Sequence, residues 1–381
     1  MLRILLQQIR RDRVTLPVWI LGTVLLLAVS ASSLVKEYGD ADGRTTILSV
    51  ALATPALLAL RGIPNGDTLG SAAHFQSFAF LAVTIGLMNT FLATRHGRAD
   101  EEKGRRELVA ATPVSRLAPP VATLLLGVIA NGIFVVLGTL GYQSAGLDAG
   151  GAFVSSAALG VTGLAFLGLG MLAGELTATS RAANGVGAVI VLGSYALRAA
   201  GDALGRPDIP NLTLQPAWPS LISPIGWGQQ TLAFTANNWA PVGWIAALAV
   251  VAAAGALLVH SRRELGASLL PERAGRATAG PALRSPFALA WRLQSPTLLA
   301  WTVGSALLGL ALGSLVTAIS GANLDNPAVS AILQSLGHTQ GDLGEALIPA
   351  LMILVGVLAA AAGVQAVLRM RDEESEGRAE T

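Results

Sequence analysis

The chain has 381 residues, of which 52% are hydrophobic and 13% charged, with a formal net charge of +2 and a mean hydropathy of +0.60. Soluble globular proteins carry about 25% charged residues, so too few charges are present here to cover a water-facing surface. This composition excludes a disordered chain, a fibrous protein and an ordinary soluble enzyme, and it predicts an all-α protein that crosses a membrane several times.

The chain begins with an amphipathic segment and continues with eight apolar segments. Apolar residues from Leu2 to Ile9 fall on one helical face and arginines on another, as in a helix on the inner membrane surface. A helix needs about 20 apolar residues to cross the hydrocarbon core. The segments of that kind, about eight predicted spans, are residues 15–35, 72–94, 118–141, 153–174, 185–200, 241–260, 297–319 and 347–368.

A further apolar stretch, residues 45–60, is interrupted by Pro55. We interpret it as an external helix that lies at the interface or dips part-way into the membrane. If it crossed the membrane, the arginine-rich residues 95–116 would lie outside, against the preference of Lys and Arg for the cytoplasmic side.

The placement of Lys and Arg predicts the orientation of the spans. With the N-terminus inside, 20 of the 25 Lys and Arg residues fall in cytoplasmic segments and 5 in external ones. Since positive residues concentrate in cytoplasmic loops, we expect both termini to be cytoplasmic.

The densest cluster of charges follows the second span, at residues 95–116. Its mixed signs suit a short cytoplasmic helix, in which Glu101 and Arg105 have the favoured i to i+4 spacing. Glu102 and Arg106 have the same spacing. A solvated loop is the alternative for a single segment of this kind, but a second copy of the pattern near the C-terminus favours a docking helix.

Residues 201–240, between the fifth and sixth spans, contain several prolines and tryptophans. Tryptophan is enriched at membrane interfaces, so we expect these side chains to anchor the chain at the outer interface. Residues 223–227 are predicted to open a short re-entrant or interfacial helix.

An internal repeat predicts the domain organisation. Residues 13–34 resemble residues 295–316, and the charged segment 98–107 resembles 371–380 in the same order. Both copies have the same orientation because six, the number of spans in the first copy, is even.

The repeat divides the chain into a first six-span repeat at residues 1–265, a cytoplasmic linker at 266–284 and the start of a second repeat at 285–381. The second repeat contains two spans and a second charged segment at 369–381. The simplest expectation is a twelve-span protein in two parallel halves, of which this chain is a truncated form. A natural eight-span protein with a partial duplication is the alternative.

Residue types needed for enzyme chemistry are missing or scattered. The chain has no cysteine, and its four histidines have no metal-motif spacing, so they are interpreted as structural. It contains neither a G-x-x-x-x-G-K-[ST] phosphate-binding loop nor a G-x-S-x-G elbow. We therefore expect no catalytic residue, no cofactor, no metal and no enzyme activity in this chain.

Six stretches distributed over nearly the whole chain carry a family resemblance: RRDRVTLPVW (10–19), ATPALLAL (53–60), RADEEKGRRELV (98–109), TSRAANG (179–185), SPIGWGQQ (223–230) and RRELGASLLPERAG (262–275). They resemble the membrane subunit of type-2 ABC exporters. More narrowly, they look like the actinobacterial permeases of the tetronasin or polyketide-antibiotic exporter type. The resemblance implies the type-2 ABC exporter fold, with a second half that is incomplete here because family members have twelve spans.

The resemblance also implies a function and its partners. It implies a permease subunit in the bacterial plasma membrane that moves hydrophobic antibiotics or other drugs outward, with no nucleic acid involved. A separate ATPase subunit, acting as a dimer, would hydrolyse ATP. The two charged segments would dock into that dimer as coupling helices, through Arg98, Glu101, Glu102, Gly104, Arg105, Glu107, Arg371, Glu374, Gly377, Arg378 and Glu380.

Two other functions stay open at this point. A secondary carrier would lose transport when the proton gradient collapses, and a membrane scaffold or assembly protein would give no drug phenotype on deletion. Ionisable residues are nearly absent from the predicted spans, with Glu175 and Arg198 at span ends. Proton-coupled carriers usually keep an acidic residue or histidine at membrane depth, so the pattern disfavours a carrier.

Overall fold

The computed structural model of the protein describes residues 1–269, except 38 and 265, and beyond them only separate short stretches from residue 278 to residue 367. The chain divides into two units, Met1–Arg273 and Ala274–Thr381. In the second unit the indole of Trp301 donates a hydrogen bond to Gln365 Oε1 (2.6 Å). The predicted spans 297–319 and 347–368 are described only in part, and the charged segment 369–381 lies wholly outside the described residues.

The first unit is built almost entirely from helices. In chain order they are α1 (Leu2–Arg11), α2 (Thr15–Glu37), α3 (Ala41–Ala53), α4 (Pro55–Arg61), α5 (Leu69–His96), α6 (Arg98–Glu102), α7 (Arg105–Ala110), α8 (Ala118–Ser144), α9 (Ala149–Leu176), α10 (Ser180–Ala203), α11 (Trp218–Leu221), α12 (Pro224–Gln229) and α13 (Ala240–Arg262). A short antiparallel hairpin, β1 (Arg206–Asp208) and β2 (Thr213–Gln215), lies between α10 and α11.

Six of these helices are long and apolar enough to cross a membrane, within the part of the chain that the structure describes. They are α2, α5, α8, α9, α10 and α13, and each contains one of the first six predicted spans. The prediction of an all-α polytopic membrane protein is confirmed. The fifth span, the shortest by sequence, is a helix of 24 residues.

The apolar stretch around Pro55 forms a bent pair of helices. Helices α3 and α4 meet at 103°, the geometry of a broken span or of a re-entrant loop. Thr54 between them is extended, and Pro55 is the first residue of α4. Proline fits the first turn of a helix but removes a hydrogen bond from its interior, so α3 has to end before it. The predicted segment that dips part-way into the membrane is compatible with the re-entrant form.

Helix α9 lies at the centre of the bundle and packs against α5, α8, α10 and α13. Its sequence is rich in glycine and alanine, which lets neighbouring backbones approach closely. A Cβ on Gly168 would lie 2.9 Å from the backbone nitrogen of Ala253 in α13, so only glycine fits there. This packing fixes the positions of the helix ends that carry the charged residues described below.

Buried amides connect α5 to α8 inside the bundle. Asn89 Nδ2 donates to Asn131 Oδ1 (3.1 Å), and Asn131 Nδ2 donates to Asn89 Oδ1 (2.8 Å). Both side chains are essentially fully buried. Because each amide supplies the hydrogen-bond partner of the other, these buried polar groups hold the two helices together.

The end of the bundle opposite α6 is covered by short elements. Apolar residues of α3 and α4 pack against Leu212 and Leu214 of the hairpin. Helix α12 begins after Ser223, whose Oγ accepts from the backbone N–H of Gly226 (3.3 Å). The short helix predicted at residues 223–227 is therefore present.

Candidate functional site

The charged segment after α5 forms two short helices rather than one. Helix α6 ends at Glu102, and α7 begins at Arg105. Gly104 between them has φ +68°, a left-handed conformation that favours glycine. The prediction of one continuous helix with pairs at i and i+4 was therefore wrong, because the backbone turns at Gly104.

Glu101 faces the bundle and forms the centre of an ionic cluster. It accepts hydrogen bonds from Arg98 Nη1 (2.8 Å) and from Nη2 of Arg263, which contacts both of its carboxylate oxygens (2.8 Å each). The Nε of Arg263 donates to Glu175 Oε2 (2.6 Å) at the end of α9. The predicted pair of Glu101 with Arg105 is not formed, since Glu101 points inward and Arg105 outward.

Arg106 is the second inward-facing member of this segment. Its Nη2 donates to the carbonyl oxygen of His96 (3.0 Å), and its Nη1 lies 3.5 Å from His260 Nε2. Glu102, predicted to pair with Arg106, instead accepts from the backbone N–H of Ser180 at the start of α10 (3.0 Å).

Burial and neighbouring charges set the pKa values of two arginines in the cluster. Burial lowers the pKa of Arg106, and the carboxylates of Glu101 and Glu175 oppose this change without reversing it. Burial also acts to lower the pKa of Arg263, but its hydrogen bonds and charge interactions with Glu101 and Glu175 raise that pKa above its ordinary value. The charged form of Arg263 is thus stabilised by both carboxylates.

A second ionic cluster connects α1 to α5 and α6. Asp12, which follows α1, accepts from Arg95 Nη1 (2.6 Å) and contacts His96 Nε2 (2.7 Å). Asp100 of α6 accepts from Arg11 Nη1 (2.6 Å) and Arg105 Nη1 (3.2 Å). The two clusters together join α6 to α1, α5, α9 and the end of α13.

The face of α6 and α7 that points away from the bundle is exposed. Glu102, Lys103, Arg105 and Glu107 are exposed, and Leu108 has 74% of its surface exposed. The six docking residues predicted here therefore divide into three groups. Arg98 and Glu101 face inward, Gly104 forms the turn, and Glu102, Arg105 and Glu107 face outward. The other five, which lie outside the described residues, are Arg371, Glu374, Gly377, Arg378 and Glu380.

Three side chains of the ionic cluster have the spacing of metal ligands. Oxygen and nitrogen atoms of Glu101, Glu175 and His260 lie within 4.8 Å of one another. However, both carboxylates accept from Arg263, and His260 Nδ1 lies 2.8 Å from Glu175 Oε1. These ligand atoms already have protein partners, so we interpret the group as an ion-pair cluster.

A groove of about 590 Å³ opens between α2, α5 and α10. Its walls combine apolar side chains such as Leu26, Phe80 and Leu192 with the uncharged polar side chains of Gln76 and Thr84. The lining residues, all within the described part of the chain, include no Asp, Glu, Lys, Arg or His. Such a surface suits a hydrophobic ligand with a few hydrogen-bonding groups.

Comparison with known proteins shows which family the chain resembles. Residues 283–381 match a family model described as "Multidrug efflux system permease Rv1217c, C-terminal domain". Over 379 residues the chain is 35% identical to the multidrug efflux system permease protein Rv1217c of Mycobacterium tuberculosis (strain ATCC 25618 / H37Rv). The chain is similar to these multidrug efflux permeases. The alignment covers 98% of this chain and 66% of the relative, so the chain spans just under two thirds of the relative's length.

This similarity confirms the resemblance to exporter permeases that the sequence predicted. Together with the six apolar helices, it supports a multi-pass membrane protein.

One further polar site in the permease lies within α10, near its end. Arg198 is fully buried; its Nη1 donates to Asp202 Oδ2 (3.2 Å) and to the carbonyl oxygen of Leu58 (3.2 Å). The guanidinium also lies 4.3 Å from the centre of the Tyr195 ring. A cation next to the last carbonyl groups of α4 also interacts favourably with the negative end of that helix.

Sequence reasoning missed several partners at these sites. Asp202 was overlooked, although its i to i+4 spacing from Arg198 could have indicated the pair. Asp12 and Arg263 had no assigned role, and His260 was interpreted only as structural. No spacing signal links these residues to partners about 80 to 160 positions away.

Proposed function

We propose that this chain is the membrane-spanning subunit of an ATP-driven exporter, and that a separate ATPase dimer docks on α6 and α7. The observation that carries this proposal is the two-sided geometry of the segment. Its inner face is joined by buried ion pairs to several helices, and its outer face presents mixed charges and the exposed side chain of Leu108.

The ion pairs supply a route by which docking could affect the bundle. Arg263 joins Glu101 of α6 to Glu175 of α9, and both arginine and carboxylates are largely buried. Separating a buried ion pair is strongly unfavourable, so α6 and the end of α9 would move together rather than apart. A motion of the docked ATPase would therefore reach the central helix of the bundle.

We propose that the groove between α2, α5 and α10 contacts the exported compound. Its uncharged lining favours hydrophobic drugs with a few hydrogen-bonding groups over strongly charged ones, since a charge would lose its hydration there without gaining an opposite charge. Outward movement of such compounds is part of the same proposal.

Substitution of the outward residues tests the docking role. In the assembled transporter, Arg105→Ala combined with Glu107→Ala should reduce drug-stimulated ATP hydrolysis and drug resistance at least several-fold, while the permease is produced in normal amounts. Arg116→Ala, at another exposed arginine beyond α7, serves as the matched control and should change neither quantity. Unchanged ATPase stimulation and drug resistance in the double variant would refute docking at this face.

The energy source separates the proposal from its alternatives. In inverted vesicles, drug accumulation should need ATP and should persist when the proton gradient is dissipated. Accumulation that stops with the gradient and ignores ATP would identify a secondary carrier. Normal drug susceptibility after deletion of the gene would support a scaffold.

A further inference from the structure

A small cavity lies between the segment formed by α6 and α7 and the other helices of the bundle. Its charged lining consists of Arg98, Glu101, Arg106, Glu175 and Arg263, the remaining lining residues are uncharged, and its free volume is about 10 Å³. A space of this size has room for about one water-sized occupant, which excludes phosphate, sulfate and organic anions.

The charges around this cavity do not balance. Arg98, Arg106 and Arg263 bring three positive charges, whereas Glu101 and Glu175 bring two negative ones. All four carboxylate oxygens already accept hydrogen bonds, from Arg98, Arg263 or His260. The arginine and glutamate side chains of the cluster therefore leave an excess of one positive charge.

Arg98 has donors without acceptors. Its Nη1 is used by Glu101 Oε2 and the carbonyl oxygen of Ala267, but its Nε and Nη2 are buried and have no hydrogen-bond partner among the described residues. Only 3% of the residue is exposed. A buried guanidinium that keeps two donors unpaired is costly, so the cavity calls for an occupant that accepts hydrogen bonds.

We propose that a chloride ion occupies this cavity and accepts hydrogen bonds from Nε and Nη2 of Arg98. A chloride ion is a single atom only slightly larger than a water molecule, has no protons that would oppose the donors and neutralises the excess positive charge. A metal cation would add to that excess, and a water molecule would leave it in place. The inference rests on the geometry of the first unit and holds whether or not an ATPase docks on α6 and α7.

Replacing chloride in the buffer of the purified protein by a larger anion tests this site. The unfolding temperature is measured in sodium chloride and in sodium gluconate at equal ionic strength. A ligand that binds only the folded state stabilises it, so we expect chloride to raise the unfolding temperature by about 2–4 °C. Arg98→Gln should abolish this difference. Arg105→Gln, which removes a half-exposed arginine from the same segment, should retain it.

Equal unfolding temperatures of the wild type in the two salts would overturn the proposal. A chloride effect of the same size in Arg98→Gln and in the wild type would also overturn it. If Arg98→Gln fails to fold, crystals of the wild type grown in sodium bromide decide the question. An anomalous peak beside Nε and Nη2 of Arg98 supports the site, whereas density for water alone refutes it.

Discussion

Asp12 shows how a single carboxylate can fix the position of two helices. It lies in the short turn between α1 and α2, has a side chain that is 1% exposed, and is bound by Arg95 and His96 near the end of α5. Burial alone would raise the pKa of Asp12, but the hydrogen bonds and charges of His96 and Arg95 more than offset it and lower that pKa below 3.8. The carboxylate therefore stabilises the folded state only while it is ionised.

Replacing Asp12 by asparagine should destabilise the folded protein. Asp12→Asn removes the negative charge and leaves Arg95 without its buried counter-ion, so we expect a loss of about 3 kcal/mol in the free energy of unfolding. Thermal unfolding followed by tryptophan fluorescence measures the change. Asp42→Asn, at an exposed position of α3, is the control and should stay within about 0.5 kcal/mol of the wild type.

The same residue predicts a dependence on pH. Because the pKa of Asp12 is lower in the folded than in the unfolded state, its stabilisation is fully present above pH 3.8 and is lost as the pH falls through the folded-state pKa. The difference in unfolding temperature between the wild type and Asp12→Asn should therefore narrow in acid. A difference that stays constant from about pH 7 down to about pH 3 would contradict the assigned role.

At the scale of helices, the chain's hydropathy was enough to locate the spans but not the contacts between them. The six apolar helices and the short helix after Ser223 follow from local composition, and Pro55 marks the break between α3 and α4. The turn at Gly104 depends on a backbone conformation that composition does not specify. The partners of Glu101 depend on how α9 and α13 pack, so a spacing of four residues predicted the wrong ones.

Helix α10 and the bent pair offer a test of one such contact. Arg198→Gln should lower the free energy of unfolding by about 3–5 kcal/mol, because it leaves the buried Asp202 unpaired and removes a donor to the carbonyl group of Leu58. The double variant Arg198→Gln with Asp202→Asn should recover part of this loss.

Thermal unfolding measures both variants, with the exposed Arg206→Gln as a near-neutral control. A double variant less stable than Arg198→Gln alone would show that the two residues do not stabilise the fold as a pair.

At the scale of the whole molecule, the two ends of the bundle differ in character. One end contains the ionic clusters and the charged face of α6 and α7, and the other contains the bent pair, the hairpin and α12. The excess of Lys and Arg in the segments predicted to be cytoplasmic predicts that the first end faces the cytoplasm. That orientation would place the proposed docking face where an ATPase has access to ATP.

Cysteine labelling can test that orientation directly, since the chain contains no cysteine of its own. A membrane-impermeant maleimide should label Asn211→Cys, next to the hairpin, in intact cells. It should label Lys103→Cys only after the membrane is opened or inverted. Both positions are exposed, so neither result depends on loss of packing. Labelling of Lys103→Cys in intact cells would show that the predicted orientation is reversed.

The contact between Glu101 and Arg263 also has a consequence for biosynthesis. The two residues are 162 positions apart, so at about 5–20 residues per second the ribosome needs roughly 8–32 s to proceed from one to the other. During this interval Glu101 lacks the arginine that joins it to α9. The inward face of α6 and α7 is therefore completed only after the sixth span has been synthesised, which makes this contact a late step that reports on the maturation of the first unit.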